Sequence, residues 1–203
     1  VRELRDACEK YGMKFGVYLS PWDRNAPSYG DSPAYNKFFI EQLTELLSNY
    51  GEVHEVWFDG ACGEGPNGKK QEYDFERYIK IIRELQPEAV IFNDFGPDVR
   101  WCGNEAGSAR RGEWAVVPHD LCLRCEKQTE GKLVEGNLKY LYNPAESIGD
   151  LSVIQYADGL SFCGAEIDMS IRPGWFYHEN EKGIYGDNAE RCLDILKTVA
   201  SPN

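Results

Sequence analysis

Apolar positions in the first part of the chain alternate between strand-like and helix-like spacing. Residues 1–11 have the spacing of a helix that ends at Gly12, and residues 13–19 are strand-like. A second helix is predicted to begin with Ser32 as its N-cap and Pro33 at its first helical position. Its apolar face would be formed by Tyr35, Phe38, Phe39, Leu43, Leu46, Leu47 and Tyr50.

The next segment repeats the order of strand and helix. Apolar, β-branched and aromatic types dominate residues 54–58, which is typical of a strand, and the glycine-rich stretch after Asp59 forces a turn. Asp74 is predicted to cap a helix that Pro87 stops before residues 89–93 form another strand. Such alternation makes a parallel sheet with right-handed connections, so it predicts an α/β fold, either doubly wound or barrel-shaped.

The pattern is looser after residue 110, and residues 119–144 are predicted to be mostly loop. No phosphate-binding glycine motif follows any strand, so the nucleotide-binding open sheets lose support. We count four to six strands, fewer than the eight of a complete barrel. The later elements are predicted as strands at 113–117 and 162–169 and helices at 147–156 and 187–199.

The composition is that of an ordinary globular protein. The 203 residues are 42% hydrophobic and 28% charged, enough for one sizeable core. A net charge of −12 without a basic stripe argues against nucleic acid as a partner, and no apolar run reaches the length of a membrane span. The 12 tyrosines and 5 tryptophans instead suit a neutral, hydroxylated ligand such as a sugar.

The cysteines do not indicate a disulfide scaffold, because seven is an odd number and they are widely scattered. Ordinary reduced thiols are expected. His119, Cys122 and Cys125 follow at zinc-like spacing, but a closed site needs a fourth ligand. A metal-dependent barrel enzyme that uses these three residues is therefore kept only as an alternative.

Two acids are candidates for catalysis. Asp59 follows a strand directly, and Glu105 lies beyond the next predicted strand, between Gly103 and Gly107. A retaining glycosidase needs one carboxylate as nucleophile and a second carboxyl as acid/base about 5 Å away. Trp101 would form an apolar wall that raises the pKa of a nearby carboxyl toward the working range of an acid.

Each of these assignments has an alternative. Asp59 precedes a glycine and could simply open the next turn. Glu113 is the second candidate for the acid/base.

Four blocks of the chain carry a resemblance to a known family. They are KFGVYLSPWDRN at 14–25, WFDG at 57–60, GPDVRWCGNEAG at 96–107 and SIRPGWFYH at 170–178. In this order they resemble the catalytic domain of the α-L-fucosidases of glycoside hydrolase family 29, closest to the branch that prefers α-1,3/4-linked fucose. The resemblance implies a retaining exo-α-L-fucosidase with a (β/α)8 barrel, no cofactor and no metal, acting on a fucosylated oligosaccharide or glycoconjugate.

The resemblance also implies roles for single residues. Asp59 corresponds to the nucleophile and Glu105 to the acid/base, while Trp57 packs beside the fucose and Tyr18 lines the pocket. As alternatives, Trp57 and Tyr18 could be barrel core, and Arg172 and Trp175 could shape a loop. Further substrate-binding residues are expected near the mouth of the barrel at Trp22, Asp23, Arg172 and Trp175.

The chain also departs from the family pattern. No counterpart is found for the family's upstream His-Trp-Gly strand, its paired-histidine strand or its last strand, and none of His54, His119 and His178 lies in a block where the family carries its sugar-binding histidines. Residues 1–203 are thus expected to form a partial catalytic barrel that lacks about the first two strands and the last. The family resemblance suggests an exported protein, and a homologue or fragment that binds fucosylated glycan without hydrolysing it is the alternative.

Overall fold

The computed structural model has an α/β fold built on a parallel sheet. It describes residues 1–59, 63–93, 97–102, 113–119, 149–155, 157–170, 174–176, 178–179, 193 and 196. The predicted α/β class is confirmed. The helices are α1 (Arg2–Lys10), α2 (Ser32–Asn49), α3 (Phe75–Leu85) and α4 (Leu151–Ile154), and the strands are β1 (Gly16–Tyr18), β2 (Glu55–Trp57), β3 (Val90–Asn93), β4 (Val99–Trp101), β5 (Val116–Pro118), β6 (Leu160–Phe162) and β7 (Gly164–Glu166).

Five of these strands form one sheet in the order β1-β2-β3-β4-β7, and each neighbouring pair is parallel. Tyr18 lies opposite Trp57, and Trp57 lies opposite Phe92. Because residues that pair in a parallel sheet point to the same face, the register places these three rings side by side. The remaining strands, β5 and β6, form a separate antiparallel pair.

Helices α2 and α3 pack against each other and cover the opposite face of the sheet. Val56 and Ile91 are fully buried there, as are Phe39 on α2 and Tyr78 on α3. The rings of Phe39 and Tyr78 lie 4.5 Å apart, within the range of favourable aromatic contacts. This core packs against one face of β2 and β3, and the rings of Trp57 and Phe92 lie on the other face.

The two long helices begin at aspartate caps. The carboxylate of Asp74 accepts a hydrogen bond from the backbone N–H of Arg77 at 3.2 Å, which confirms the predicted cap of α3. The cap of α2 is Asp31 rather than Ser32, because the Asp31 side chain accepts from the N–H of Ala34 at 3.4 Å. The predicted start of α2 was therefore one residue late.

Strand β4 was not predicted, since residues 97–101 combine a proline, two charged side chains and only two apolar ones. Five residues separate β3 from β4, although parallel neighbours usually need a crossover of a dozen or more. The first residue of β4, Val99, pairs with Phe92, the third residue of β3. The chain therefore does not have to return to the start of β3, and a short connection suffices. Asp98 holds this start: it accepts hydrogen bonds from the N–H of Ile91 at 2.8 Å and from Arg83 at 2.6 and 2.7 Å.

Other predictions differ in detail. The strand predicted at 162–169 is two strands, β6 and β7, which belong to different sheets. The strand predicted at 113–117 is β5, which lies antiparallel to β6 instead of joining the parallel sheet. The described residues thus contain seven strands, more than the four to six expected.

The helical predictions at both ends of the chain are only partly tested. Helix α1 forms and is followed by Gly12 at φ 66°, but it buries none of its residues. Of the helix predicted at 187–199, Leu193 and Leu196 are helical and exposed, and the other residues lie outside the described part. None of the described helices has the length and apolar content that crossing a bilayer requires.

Candidate active site

The carboxyl ends of β1 and β2 bring together three of the predicted site residues. The phenol of Tyr18 donates a hydrogen bond to Oδ2 of Asp59 at 2.9 Å. Its ring meets the indole of Trp57 edge to face, with centroids 5.3 Å apart and an angle of 70° between the planes. A carboxylate, a hydroxyl and an indole therefore share one surface, although Tyr18 and Asp59 are 41 residues apart in the sequence.

The phenol of Tyr18 stays protonated and acts as a donor. Partial burial raises the pKa of Tyr18; a hydrogen bond with Ser20 opposes this rise, and both the hydrogen bond and the negative charge of Asp59 add to it. A phenol that keeps its proton at neutral pH can hold one oxygen of the Asp59 carboxylate in place. Tyr18 remains 56% exposed, so this face can be reached from solvent.

Trp57 is held by contacts on both sides. Its indole stacks on Phe92 with centroids 4.3 Å apart and planes only 7° from parallel. The indole N–H donates to Oε1 of Glu166 at 2.8 Å. Since stacking fixes the plane of the ring and the hydrogen bond fixes its rotation, Trp57 has a defined orientation beside Asp59.

The contact between Trp57 and Glu166 also shows that the sheet is strongly curved. Strand β2 is three places from β7 in the sheet, so on a flat sheet the two strands would lie roughly 14 Å apart. Side chains that stand perpendicular to a flat sheet would not meet across that distance. A hydrogen bond of 2.8 Å therefore requires that the face with Trp57 is concave.

Glu55 lies deeper on this concave face, two residues before Trp57 on the same strand. Burial raises the pKa of Glu55, and the negative charge of Glu166 and a hydrogen bond with it raise that pKa further. Burial and a neighbouring negative charge both disfavour ionisation of the Glu55 carboxyl. Glu166 thus contacts both Glu55 and Trp57.

Trp22 and Asp23 lie on the loop after β1, which packs against the loop after β2. The indole of Trp22 lies so close to Gly63 that a Cβ at position 63 would overlap the ring, so glycine is needed there. The Asp23 carboxylate accepts hydrogen bonds from the N–H of Asn25 at 2.9 Å and of Ala26 at 3.2 Å. Asp23 therefore shapes its own loop.

Two tyrosines anchor the same loop. Tyr35 on α2 donates to the carbonyl of Pro21 at 2.6 Å, and Tyr29 donates to the carbonyl of Gly63 at 2.9 Å. Both hydroxyl groups reach backbone oxygens, so they fix the path of the chain on each side of Trp22. Buried tyrosine side chains thus fix the loops that follow β1 and β2 at the edge of the site.

Glu113 has a structural role. Its carboxylate pairs with the guanidinium of Arg100 at 2.7 Å, and both side chains have an exposure of 0%. Arg100 also donates to the carbonyl of Trp114 at 2.6 Å. A carboxylate buried against a guanidinium is not presented to a substrate, which argues against Glu113 as the second candidate for the acid/base.

The other predicted residues are placed only in part. Trp175 is described and is 52% exposed. Glu105 and Arg172 lie outside the described residues, as do Cys122 and Cys125. His119 contacts the hydroxyl of Ser161 through Nδ1 at 2.7 Å, and no group of ligands suited to a metal occurs in the described parts of the chain.

Three residues at this face were missed by the sequence analysis, namely Phe92, Glu166 and Asp168. Phe92 was available as an aromatic residue in a predicted strand. Oδ1 of Asp168 accepts a hydrogen bond from the indole N–H of Trp101 at 2.6 Å. The acids at 166 and 168 had a signal in their alternate spacing, which puts them on one face of an extended segment.

Comparison with known proteins gives consistent matches. A family model described as alpha-L-fucosidase matches residues 1–115. Alpha-L-fucosidase 1 of Arabidopsis thaliana is 42% identical over 205 aligned residues, which cover 97% of this chain and 36% of that protein.

Two crystal structures agree with the sequence match. A candidate α-L-fucosidase from Bacteroides ovatus is 50% identical with a TM-score of 0.79. The aligned part covers 97% of this chain and 33% of that protein. A glycoside hydrolase family 29 member from an unknown rumen bacterium is 38% identical with a TM-score of 0.73, and 98% of this chain covers 33% of it. The chain thus spans about a third of the length of these relatives.

Proposed function

This chain belongs to the α-L-fucosidase family, and on that premise we propose that the protein carrying it is a retaining exo-α-L-fucosidase. It would remove terminal α-1,3/4-linked L-fucose from glycans by double displacement, without cofactor or metal. The observation that carries this proposal is the contact of Tyr18 with both Asp59 and Trp57 at the carboxyl ends of β1 and β2. It combines a carboxylate, a hydrogen-bond donor that orients it, and an aromatic surface for a sugar ring.

In the proposed first step, the Asp59 carboxylate attacks the anomeric carbon of fucose. The bond between that carbon and the glycosidic oxygen breaks, and Glu105 gives its proton to the leaving oxygen. In the second step, Glu105 takes a proton from water as the water attacks the same carbon, which releases fucose and regenerates the Asp59 carboxylate. Tyr18 holds Oδ2 of Asp59 throughout.

The fold we propose for the whole domain is a (β/α)8 barrel of which this chain forms one part. The curved parallel sheet supports this, since its concave face would be the barrel interior and its helix-covered face the exterior. In such barrels, residues at the carboxyl ends of strands converge on one mouth. Asp59 follows β2 at that end, and Glu105 follows β4.

The nucleophile can be tested in the full-length protein that carries this chain. Asp59→Ala is expected to lose nearly all turnover of an aryl α-L-fucoside, because no other group forms the covalent intermediate. Added azide should restore part of the activity and give a fucosyl azide of inverted configuration. Undiminished turnover in Asp59→Ala, or glycan binding without turnover in the unchanged protein, would overturn the proposal.

The acid/base is tested by the dependence on the leaving group. A missing acid damages a poor leaving group most, so Glu105→Ala should impair natural glycan cleavage far more than cleavage of an activated aryl fucoside. Glu113→Ala is the matched control and should show no such asymmetry, since its carboxylate is buried with Arg100. The reverse pattern would move the assignment to Glu113.

The proposed preference for α-1,3/4 linkages rests on the blocks at 96–107 and 170–178 and on acceptor contacts near the mouth. Trp22, Asp23, Arg172 and Trp175 are the residues we propose for these contacts. Binding energy from the acceptor would position the scissile bond, and an α-1,2 linkage would present the acceptor from another direction. Equal kcat/KM for Lewis-type trisaccharides and 2′-fucosyllactose would reject the preference but leave the fucosidase proposal intact.

A further inference from the structure

One short segment of the chain holds two tryptophans of the concave face. The indole N–H of Trp57 on β2 donates to Oε1 of Glu166 at 2.8 Å. The indole N–H of Trp101 on β4 donates to Oδ1 of Asp168 at 2.6 Å. Glu166 is the last residue of β7, and Asp168 follows two positions later. Two carboxylates at the end of β7 and just beyond it therefore bind side chains of β2 and β4.

These two strands are the ones that lead to the proposed catalytic carboxyls. Trp57 precedes Asp59 by two residues, and Trp101 precedes Glu105 by four. The hydrogen bond from Trp101 to Asp168 joins neighbouring strands, since Trp101 is paired with Glu166 in the register of β4 and β7. The hydrogen bond from Trp57 to Glu166 spans β3 and β4, which lie between β2 and β7. It therefore also stabilises the curvature of the sheet.

We propose that Glu166 and Asp168 are positioning residues that set the separation of Asp59 and Glu105 through hydrogen bonds to Trp57 and Trp101. This inference rests on the proposed function. It gives Glu166, at the end of β7, and Asp168, just beyond it, a role distinct from proton transfer or nucleophilic attack. Each holds an indole through one carboxylate oxygen and thereby fixes the strand that carries it.

The need for such a device follows from the chemistry. A retaining mechanism requires its two carboxyl groups about 5 Å apart, and a displacement of about 1 Å can cost roughly 100-fold in rate. Asp59 and Glu105 follow strands that are not neighbours in the sheet, because β3 lies between them. No backbone ladder joins β2 directly to β4, so a link through side chains to a common strand controls their spacing.

The test compares variants in the full-length protein. Glu166→Gln keeps an oxygen that accepts the indole hydrogen bond, whereas Glu166→Leu removes it. We expect Glu166→Gln to stay within a few-fold of the unchanged kcat and Glu166→Leu to fall about 10- to 100-fold. The fall should be equal for activated and natural leaving groups, and azide should not reverse it. Asp168→Asn and Asp168→Leu form an independent pair with the same expectation.

Glu88→Leu is the matched control, because Glu88 is exposed on the turn before β3. It makes the same change of side chain away from the concave face and is expected to leave turnover unchanged. If Glu166→Gln is as damaging as Glu166→Leu and azide rescues both, Glu166 is a catalytic group and the inference is wrong. Full activity in both leucine variants would overturn it as well.

A second readout separates this inference from the proposed function. In protein labelled with 5-fluorotryptophan, the fluorine resonance of Trp57 can be assigned by its absence in Trp57→Phe. Glu166→Leu should shift and broaden this resonance, and Glu166→Gln should change it little. An unchanged resonance in Glu166→Leu would refute the positioning role even in a protein without fucosidase activity, whereas absent activity with a shifted resonance would refute only the proposed function.

Discussion

At the scale of single residues, hydrogen-bond partners separate the acids of this chain into different roles. Asp59 accepts from the exposed Tyr18 on the concave face. Glu113 pairs with Arg100 in the interior, and Asp98 binds Arg83 and the backbone of β3. The first of these arrangements holds a carboxylate on the face proposed for substrate, whereas the other two use the carboxylate to hold the fold together.

Loss of the Tyr18 hydroxyl is expected to impair turnover without unfolding the protein. Tyr18→Phe keeps the ring against Trp57 but removes the donor to Asp59. A hydrogen bond to a charged group contributes about 1.5–3 kcal/mol, so kcat/KM for an aryl fucoside should fall roughly 10- to 100-fold. Steady-state kinetics with an unchanged melting temperature would check this.

Tyr50→Phe is the matched control for that experiment. Tyr50 also donates its hydroxyl to a carboxylate, Oε1 of Glu45 at 3.1 Å, but it lies at the C-terminal end of α2. It should leave kcat/KM unchanged. Equal kinetics for the two variants would contradict the role given to Tyr18.

Removal of Glu113 is expected to lower stability rather than to change the chemistry. Glu113→Ala leaves the guanidinium of Arg100 buried without its carboxylate, which typically costs about 3–5 kcal/mol. Urea unfolding would measure the loss. The double variant Arg100→Met, Glu113→Leu should recover most of it, because replacing both members of a buried pair is often near neutral. A fully stable Glu113→Ala protein would contradict this account.

At the scale of elements, the concave face has a pH-dependent contact between β2 and β7. Burial and the neighbouring Glu166 raise the pKa of Glu55 above its ordinary value of 4.5. The folded protein therefore binds a proton at Glu55 more tightly than the unfolded chain does. By linkage, the contribution of Glu55 to stability falls as the pH rises above that ordinary value, and the fall is complete above the raised pKa.

Glu55→Gln should remove this pH dependence, because glutamine fills the same space without ionising. The free energy of unfolding of Glu55→Gln relative to the unchanged protein is expected to rise as the pH increases from about 4 to 7. Urea unfolding at several pH values would show it. A stability difference that stays constant or falls over this range would contradict the proposed coupling of Glu55 with Glu166.

At the scale of the whole molecule, helices cover one face of the parallel sheet, and the other face carries exposed side chains. Tyr18 is 56% and Val90 is 39% exposed on the concave side. Strands β1 and β7 stand at the two ends of the described five-stranded sheet. Unpaired edges and exposed apolar side chains favour association and loose packing.

Residues 1–203 produced by themselves are therefore expected to be poorly folded or inactive. We expect binding of a dye that reports exposed apolar surface and a thermal transition without sharp cooperativity. The full-length protein is the control and should melt cooperatively. A sharp transition together with fucosidase turnover in residues 1–203 would show that this chain, or an oligomer of it, completes the site in another way.

The sequence by itself predicted the features that depend on neighbouring positions. The aspartate cap of α3, the parallel strands β1, β2 and β3, and the place of Asp59 after β2 all follow from short-range periodicity and turn chemistry. These patterns are local, because they arise from which residues share a face and which can end a helix or strand. Short strands with charged residues, such as β4, have no such pattern and were missed.

The tertiary structure decided which distant side chains meet. Trp57 and Glu166 are 109 residues apart, and their hydrogen bond exists only because the sheet curves. Glu113 was the second candidate for the acid/base from the sequence, yet its partner in the structure is the buried Arg100. Contacts of this kind depend on strand order, register and curvature, which emerge when the elements pack together, so no local pattern of residues encodes them.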